Sequence, residues 1–421
     1  MSAIGDAIEI KKSGGALDPD LISTVVSGYT LGTVPDYQMS ALLMAIFLRG
    51  MSYDETLALT RTMADSGPRY SFPDCVDKHS TGGVGDKVTL TALPIVAASG
   101  APVAKLSGRG LGITGGTIDK LESIPGLSME LTEAQFQRQA AEVGLAIGEA
   151  GELAPADKAI YALRDTTGTV DSLPLIGSSI VSKKAATGAG HLLYDVKCGS
   201  GAFMKTPEQA RELAELLVAL SESMGVHSSA LITDMDAALG RAVGNALEVR
   251  ESLEFLRGEP TSQDLADVAR DVARRLLELR GIPEPGPTVE RALESGAAYE
   301  TFVAFVRAQG GDADALDDLP VSGTVREVVS PDDGHVARFD ALGIGRASVA
   351  LGAGRESKAD PVDFGAGIEV LVSVGETISR GQPVARLYGE RNVPQAVELV
   401  EGALELSAEP VSATPHVLAS L

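Results

Sequence analysis

The chain has 421 residues, of which 44% are hydrophobic, 22% charged and only 4% aromatic, with 47 glycines and no tryptophan. A chain of this length and composition is not disordered, and it buries enough aliphatic surface to fold without disulfide or metal staples. Its formal net charge of −23 excludes non-specific polyanion partners, nucleic acid and anionic membrane surfaces among them, but not a small anion in a locally positive pocket.

Taken in chain order, residues 1–67 read as helices alone. Asp18 followed by Pro19 is an N-cap with proline at the first helical position. Pro35 opens a segment with Met39, Leu42, Leu43, Ile46 and Phe47 at helical spacing, closed by Gly50. Ser52 and Glu55 form a capping-box pair for a helix ending near Gly67-Pro68. From about residue 70 the pattern alternates. Short apolar runs at 102–106, 145–147, 192–196 and 230–232 read as buried strands. The Thr132/Gln135 and Thr206/Gln209 pairs start helices between them, which implies a mainly parallel sheet with right-handed crossovers. Residues 155–187 insert two helices that are expected to pack back on the N-terminal ones. Beyond about 320, glycines and short β-branched runs predict a β-rich domain with a helix near 393–406. The stretch 374–386 resembles a hairpin of a biotinyl/lipoyl-type barrel, without the lysine such carriers modify.

The expected fold class is therefore α/β: a small all-helical domain, a large α/β domain with a mainly parallel central sheet, and a C-terminal barrel-like α+β subdomain. The expected boundaries are 1–67 (completed by 155–187), 70–154 with 188–320, and 325–421. Cys75 and Cys198 form no ladder and no CxxC, and the N-terminus shows no basic-then-apolar leader pattern, so a reducing, cytoplasmic location is expected. The longest apolar stretch, 93–103, is interrupted by Pro94, Gly100 and Pro102, so no membrane span is expected. The five histidines make no HExxH or HxH pattern, which argues against a transition-metal site.

Two loops carry the chemistry. DKHSTGGVGDK (77–87) places glycines, hydroxyls and lysines just before a helical stretch at 87–98. Such a loop aims backbone N–H groups at an anion. It is not a Walker A loop, because Lys87 is followed by Val88. KLSGRGLGITGGT (105–117) follows the next strand and again offers hydroxyls and cations. Between 76 and 122 there are five cations against four anions, and 158–184 carries Lys158, Arg164, Lys183 and Lys184 against Asp165 and Asp171. These are positive foci in an acidic chain, and they point to a small phosphate ligand.

DKHSTGGVGD (77–86), AKLSGRGLGITGGTIDKLES (104–123), YALRDTTGTVDSLPLIGSSIVSKK (161–184) and DVKCGSGAFMK (195–205) resemble, in order along essentially the whole chain, the pyrimidine-nucleoside and thymidine phosphorylases. The resemblance implies reversible phosphorolysis of pyrimidine nucleosides (uridine, deoxyuridine, thymidine) to free base and α-D-(deoxy)ribose 1-phosphate, in nucleoside salvage. It implies a homodimer joined through the helical domain, an active site in the cleft between helical and α/β domains, and no obligatory cofactor. Its phosphate site falls on Lys78, Ser80, Thr89, Lys105, Ser107 and Thr117. Its base site falls on His79, Arg164, Ser179 and Lys183, with His79, Arg164 and Lys183 catalytic. Some relatives hold a potassium ion; by position its ligands are Gly85, Lys87, Leu239 and Ala242 through backbone oxygens, and Glu251. Ile113 departs from the usual histidine near the base pocket. Lys105, where strict thymidine phosphorylases tend to carry methionine, implies that uridine is accepted. A strict thymidine phosphorylase, a magnesium-dependent phosphoribosyltransferase of the same fold and a non-catalytic anion-binding module are the alternatives.

Overall fold

The computed structural model describes residues 2–110, 112–113, 115–149, 151–355 and 360–421. Leu111 and Thr114 of the second glycine loop thus lie outside the described residues. The chain divides into two compact units. One is Met1–Asp74 with Ala150–His191 and Glu212–Ser228; the other is Cys75–Glu149 with Leu192–Arg211 and Ser229–Leu421.

The first unit is helical, with helices Ala3–Lys12, Pro19–Thr30, Asp36–Arg49 and Tyr53–Ala64 joined by Pro155–Thr167 and Leu173–Thr187. The local signals act as expected. Asp18 accepts from the Asp20 N–H, and Ser52 and Glu55 close a complete capping box. The buried Glu55 does more than cap: it accepts from the Lys11 ammonium at 2.7 Å and the Leu17 N–H at 2.8 Å, which ties the first helix to the fourth. Ile160 and Leu175 of the later helix pair share one apolar core with Ile22, Leu42, Leu43, Ile46 and Leu59.

The second unit is built on a six-stranded sheet. Its strands are β1 (Phe72–Ser80), β2 (Val103–Ser107), β3 (Leu145–Glu149), β4 (Ala189–Cys198), β5 (His227–Asp234) and the terminal strand Val417–Ser420. Their spatial order is terminal strand, β5, β4, β1, β2, β3. β1–β2 and β2–β3 are parallel, with Val76 opposite Val103 and Lys105 opposite Ile147. The terminal strand pairs antiparallel with β5. The helix Val88–Ala98 is buried from Val88 to Val96, so it serves as a core helix packed against 263–280 and 297–308.

Three features differ from expectation. Residues 77–80, read from sequence as loop, are the end of β1. Asp77 and Lys78 are buried charges in a central strand, and they hide its apolar pattern. Residues 341–351, glycine-rich and expected as β, form a helix whose N-cap Asp340 accepts from the Gly343 N–H. Residues 374–386 are not a hairpin: Thr377–Ile378 pairs with Gly334–Phe339, whereas Pro383–Tyr388 pairs with Val325–Val329 and Gly367–Val370 in another sheet. Among the described residues no helix is long and apolar enough to cross a membrane.

Candidate active site

Parallel strands end together, and ligands in open α/β sheets bind beyond their carboxyl ends. Ser80 is the last residue of β1 and Ser107 the last of β2, its neighbour. Both glycine loops therefore leave from the same edge. Register continues Val76–Val103 to Lys78 and Lys105, and the Lys105 ammonium donates to the Lys78 carbonyl. Lys105 also lies 3.8 Å from Asp77. Thr89 is buried in the first turn of the helix Val88–Ala98, and Thr117 opens the short helix Thr117–Leu121. His79 sits edge-on to the Tyr194 ring, centroids 6.2 Å apart.

Beneath these residues lies a cluster that sequence reading missed. The Lys78 ammonium, wholly buried, is 2.9 Å from Asp195 and 3.6 Å from Asp86. Lys197, equally buried, is 2.8 Å from the same Asp195 oxygen and 4.0 Å from Asp86. Thr233 donates to the other Asp195 oxygen at 2.7 Å. Burial raises the pKa of both aspartates, but Lys197 and Lys78 outweigh it and hold both carboxyls below the usual range, with Lys120 adding to this for Asp86. For Lys78, burial is likewise outweighed by Asp195 and Asp86, and its pKa rises. The spacing of Asp195 and Lys197, two apart and so on one face of β4, was the available signal. Ser80 donates to Asp86 and accepts from the Gly82 N–H at 3.1 Å.

The positive focus inferred from local sequence is compensated from a distance. Lys120 meets Glu248 at 2.7 Å and Lys87 meets Glu251 at 2.8 Å, while Arg109 is paired locally with Glu122 at 2.6 Å. The second glycine loop is also clasped. Arg355 pairs with Asp119 at 2.8 Å, and the other Asp119 oxygen accepts from the Gly110 N–H at 2.6 Å. Ile113 packs against the helix at 341–351, where a side chain on Gly345 would meet it at 3.0 Å. Cys198 is buried, and burial, then Asp236 and Asp234, pushes its thiol up to about 11, so it is no nucleophile at neutral pH.

In the helical unit, Arg164, Ser179 and Lys183 come together. Asp157, Tyr161 and Arg164 lie on one face of Pro155–Thr167 by their spacing. Arg164 is buried, and it spends three of its five N–H donors on the carbonyls of Thr169, Val170 and Leu175. The Lys183 ammonium is 2.8 Å from Asp157 and 3.2 Å from the Ser179 hydroxyl. Both cations lie over the Tyr161 ring, whose centroid is 5.8 Å from the Arg164 guanidinium and 5.6 Å from the Lys183 ammonium. Burial lowers the Arg164 pKa against Asp157, Tyr161 and Asp171, yet an arginine stays charged. Asp157 and Tyr161 were not singled out from sequence; their i, i+4, i+7 spacing with Arg164 would have found them.

The five residues named for a potassium ion do converge. Gly85 has φ +71, and a Cβ there would lie 2.7 Å from the Leu239 carbonyl and 3.2 Å from that of Ala242, so glycine is required. As they stand, however, these groups do not fit a metal ion. The Lys87 ammonium, wholly buried, donates to the Leu239 carbonyl at 2.6 Å and pairs with Glu251 at 2.8 Å. Glu251 also accepts from the N–H groups of Arg241 and Ala242 at 2.7 and 2.9 Å. A second cation here would face the first. Among the described residues no cluster of three His, Cys, Asp or Glu is placed to hold a metal ion.

Three family models match the chain in series: a glycosyl transferase family helical bundle domain over residues 5–67, the α/β domain of the same family over 72–298, and a pyrimidine nucleoside phosphorylase C-terminal domain over 335–407. The pyrimidine-nucleoside phosphorylase of Geobacillus stearothermophilus is 43% identical, with 97% of each chain covered. The thymidine phosphorylase of Mycobacterium tuberculosis is 48% identical, with 92% of this chain and 90% of that one covered. Among solved structures, the anthranilate phosphoribosyltransferase of Thermus thermophilus aligns with TM-score 0.58 at 22% identity, over 72% of this chain and 99% of that one, which establishes likeness of fold. The chain thus belongs to the pyrimidine-nucleoside and thymidine phosphorylase family.

Proposed function

We infer that this chain catalyses reversible phosphorolysis of pyrimidine nucleosides. The observation that carries the reading is a pair of separately built cationic sites: hydroxyls and lysines at the carboxyl ends of β1 and β2, and Arg164 with Lys183 about Tyr161. A phosphate oxygen attacks the anomeric carbon, a C–O bond forms, the glycosidic C–N bond breaks and its electron pair departs with the base. The hydroxyls of Ser80, Ser107, Thr89 and Thr117, backed by Lys78 and Lys105, hold the anion as directed donors. His79, Arg164, Ser179 and Lys183 hold the base. The negative charge developing on the departing ring is greatest in the transition state, so cations placed there lower the barrier rather than merely bind.

The test is release of free base from uridine or thymidine, followed by absorbance with and without phosphate. Base appears only with phosphate, in step with sugar 1-phosphate, and no divalent ion is needed. No base release from either nucleoside with phosphate, beside base release from the corresponding nucleoside 5′-monophosphate with pyrophosphate and magnesium, would transfer the reading to a phosphoribosyltransferase. Uridine is turned over alongside thymidine, on the strength of Lys105; undetectable uridine cleavage beside good thymidine cleavage removes that assignment.

Arg355 is a positioning residue for the second glycine loop through Asp119. Arg355→Ala raises the KM for phosphate by roughly tenfold while kcat at saturating phosphate falls less, which steady-state kinetics at varied phosphate checks.

The working form is a homodimer through the helical unit, in the cytoplasm. Leu31, Tyr37 and Leu48, in or beside helices Pro19–Thr30 and Asp36–Arg49, are 79%, 75% and 71% exposed, and such apolar exposure fits a partner. Light scattering should give twice the chain mass of 43.4 kDa.

A further inference from the structure

The loop after β1 is held down by a cation that belongs to the chain itself. Three backbone segments approach one point there: Gly85 and Lys87 of the loop, Leu239–Ala242 after β5, and Glu251 on the helix Asn245–Leu256. The Leu239 carbonyl and the Glu251 carboxylate are turned toward one point, with the Ala242 carbonyl beside Gly85 and the Gly85 carbonyl accepting from the Lys87 N–H at 2.9 Å; such buried oxygens need a positive charge between them, or they repel. The Lys87 ammonium is at that point, on the Leu239 carbonyl at 2.6 Å and Glu251 at 2.8 Å. Gly240, at φ +76, leaves room for it: a Cβ there would stand 2.6 Å from that ammonium and 2.7 Å from Glu251. The Lys87 side chain is wholly buried, so bulk water does not screen its ammonium from these oxygens.

We propose that the ε-ammonium of Lys87 is the resident cation of the cradle formed by Gly85, Leu239, Ala242 and Glu251, so that the glycine loop of this chain neither binds nor needs a monovalent metal ion. An ammonium and a potassium ion carry the same charge; the ammonium donates hydrogen bonds to carbonyl and carboxylate oxygens, and the potassium ion is coordinated by them. They differ in that the ammonium is tethered and makes three directed bonds, whereas a metal ion must be drawn from solution and responds to its concentration.

The inference is independent of the reaction assigned above, and its primary readout is thermal unfolding of the full chain. In wild type, exchanging choline chloride for potassium chloride at constant ionic strength should leave the melting temperature unchanged within about 1 °C. In Lys87→Ser the cradle keeps its oxygens and loses its charge. The melting temperature should fall by about 5 °C or more and should recover, saturably, with potassium chloride or methylammonium chloride but not with choline chloride. A saturable rise of the wild-type melting temperature with potassium overturns the proposal. So does a Lys87→Ser protein that melts like wild type, or one that falls and is rescued by neither ion, since Lys87 is then an ordinary ion-pair residue. If Lys87→Ser does not fold, the wild-type titration decides, together with rubidium-soaked wild-type crystals: no anomalous peak in the cradle supports the proposal, and a peak there ends it.

Discussion

Lys183→Ala should lower kcat/KM by about 100- to 1000-fold, the usual cost of removing one group aimed at developing transition-state charge. The ammonium is positioned by Asp157 and Ser179 and is partly open, at 37% side-chain exposure, so it is available to a departing ring. The substitution also strands the buried Asp157 carboxylate, which contributes instability of its own. The double variant Asp157→Asn with Lys183→Ala separates the two effects. Its melting temperature should return toward wild type, while its turnover stays at the level of the single variant. If restoring stability also restored turnover, Lys183 would be a packing residue and the base site would lose its main cation. Arg164→Ala is a poorer test, because that side chain also holds three loop carbonyls and its loss disturbs the helix pair itself.

Asp195→Ala should destabilise the second unit by about 3–5 kcal/mol, the range for removing one partner of a buried ion pair. Lys78 and Lys197 would be left with Asp86 alone, at 3.6 and 4.0 Å. Chemical denaturation gives the loss directly. A midpoint equal to wild type would show that the two lysines do not depend on Asp195. The same cluster sets an acid limit. Asp86 and Asp195 are both held below their ordinary pKa by neighbouring lysines. Their stabilisation is therefore complete above about pH 4 and is lost as pH falls below that value. Asp195→Ala, already without half of it, should show a shallower decline over that range.

What the sequence disclosed and what it withheld divide along a physical line. Interactions between residues a few positions apart were legible. The Asp18 and Ser52/Glu55 caps, the Thr132/Gln135 box and the 3.6-residue periodicity of Met39 to Ile46 all act within one or two helical turns. Arg164, Ser179 and Lys183 were found from their resemblance to a family motif, and the structure brings those three together. Interactions whose partners are distant in sequence were not legible. The charge on Lys78 is decided by Asp195, on another strand; that on Lys87 by Glu251, on a helix beyond β5. Counting local charge made the glycine loops look more positive than they are for this reason. The same cause hid β1: Asp77 and Lys78 read as loop residues until buried counter-charges are known. At the other end, Val417–Ser420 is a strand only because β5 offers an edge.

The central claim, an oxyanion held at the carboxyl edge of β1 and β2 and a pyrimidine held by Arg164, Ser179 and Lys183, is tested most directly by a crystal structure of the protein with phosphate and uracil. The account predicts phosphate on the hydroxyls of Ser80, Ser107 and Thr117, uracil on Arg164 and Lys183, and one cavity shared by both. Either ligand bound elsewhere, or the two sets of residues facing unconnected surfaces, would contradict it.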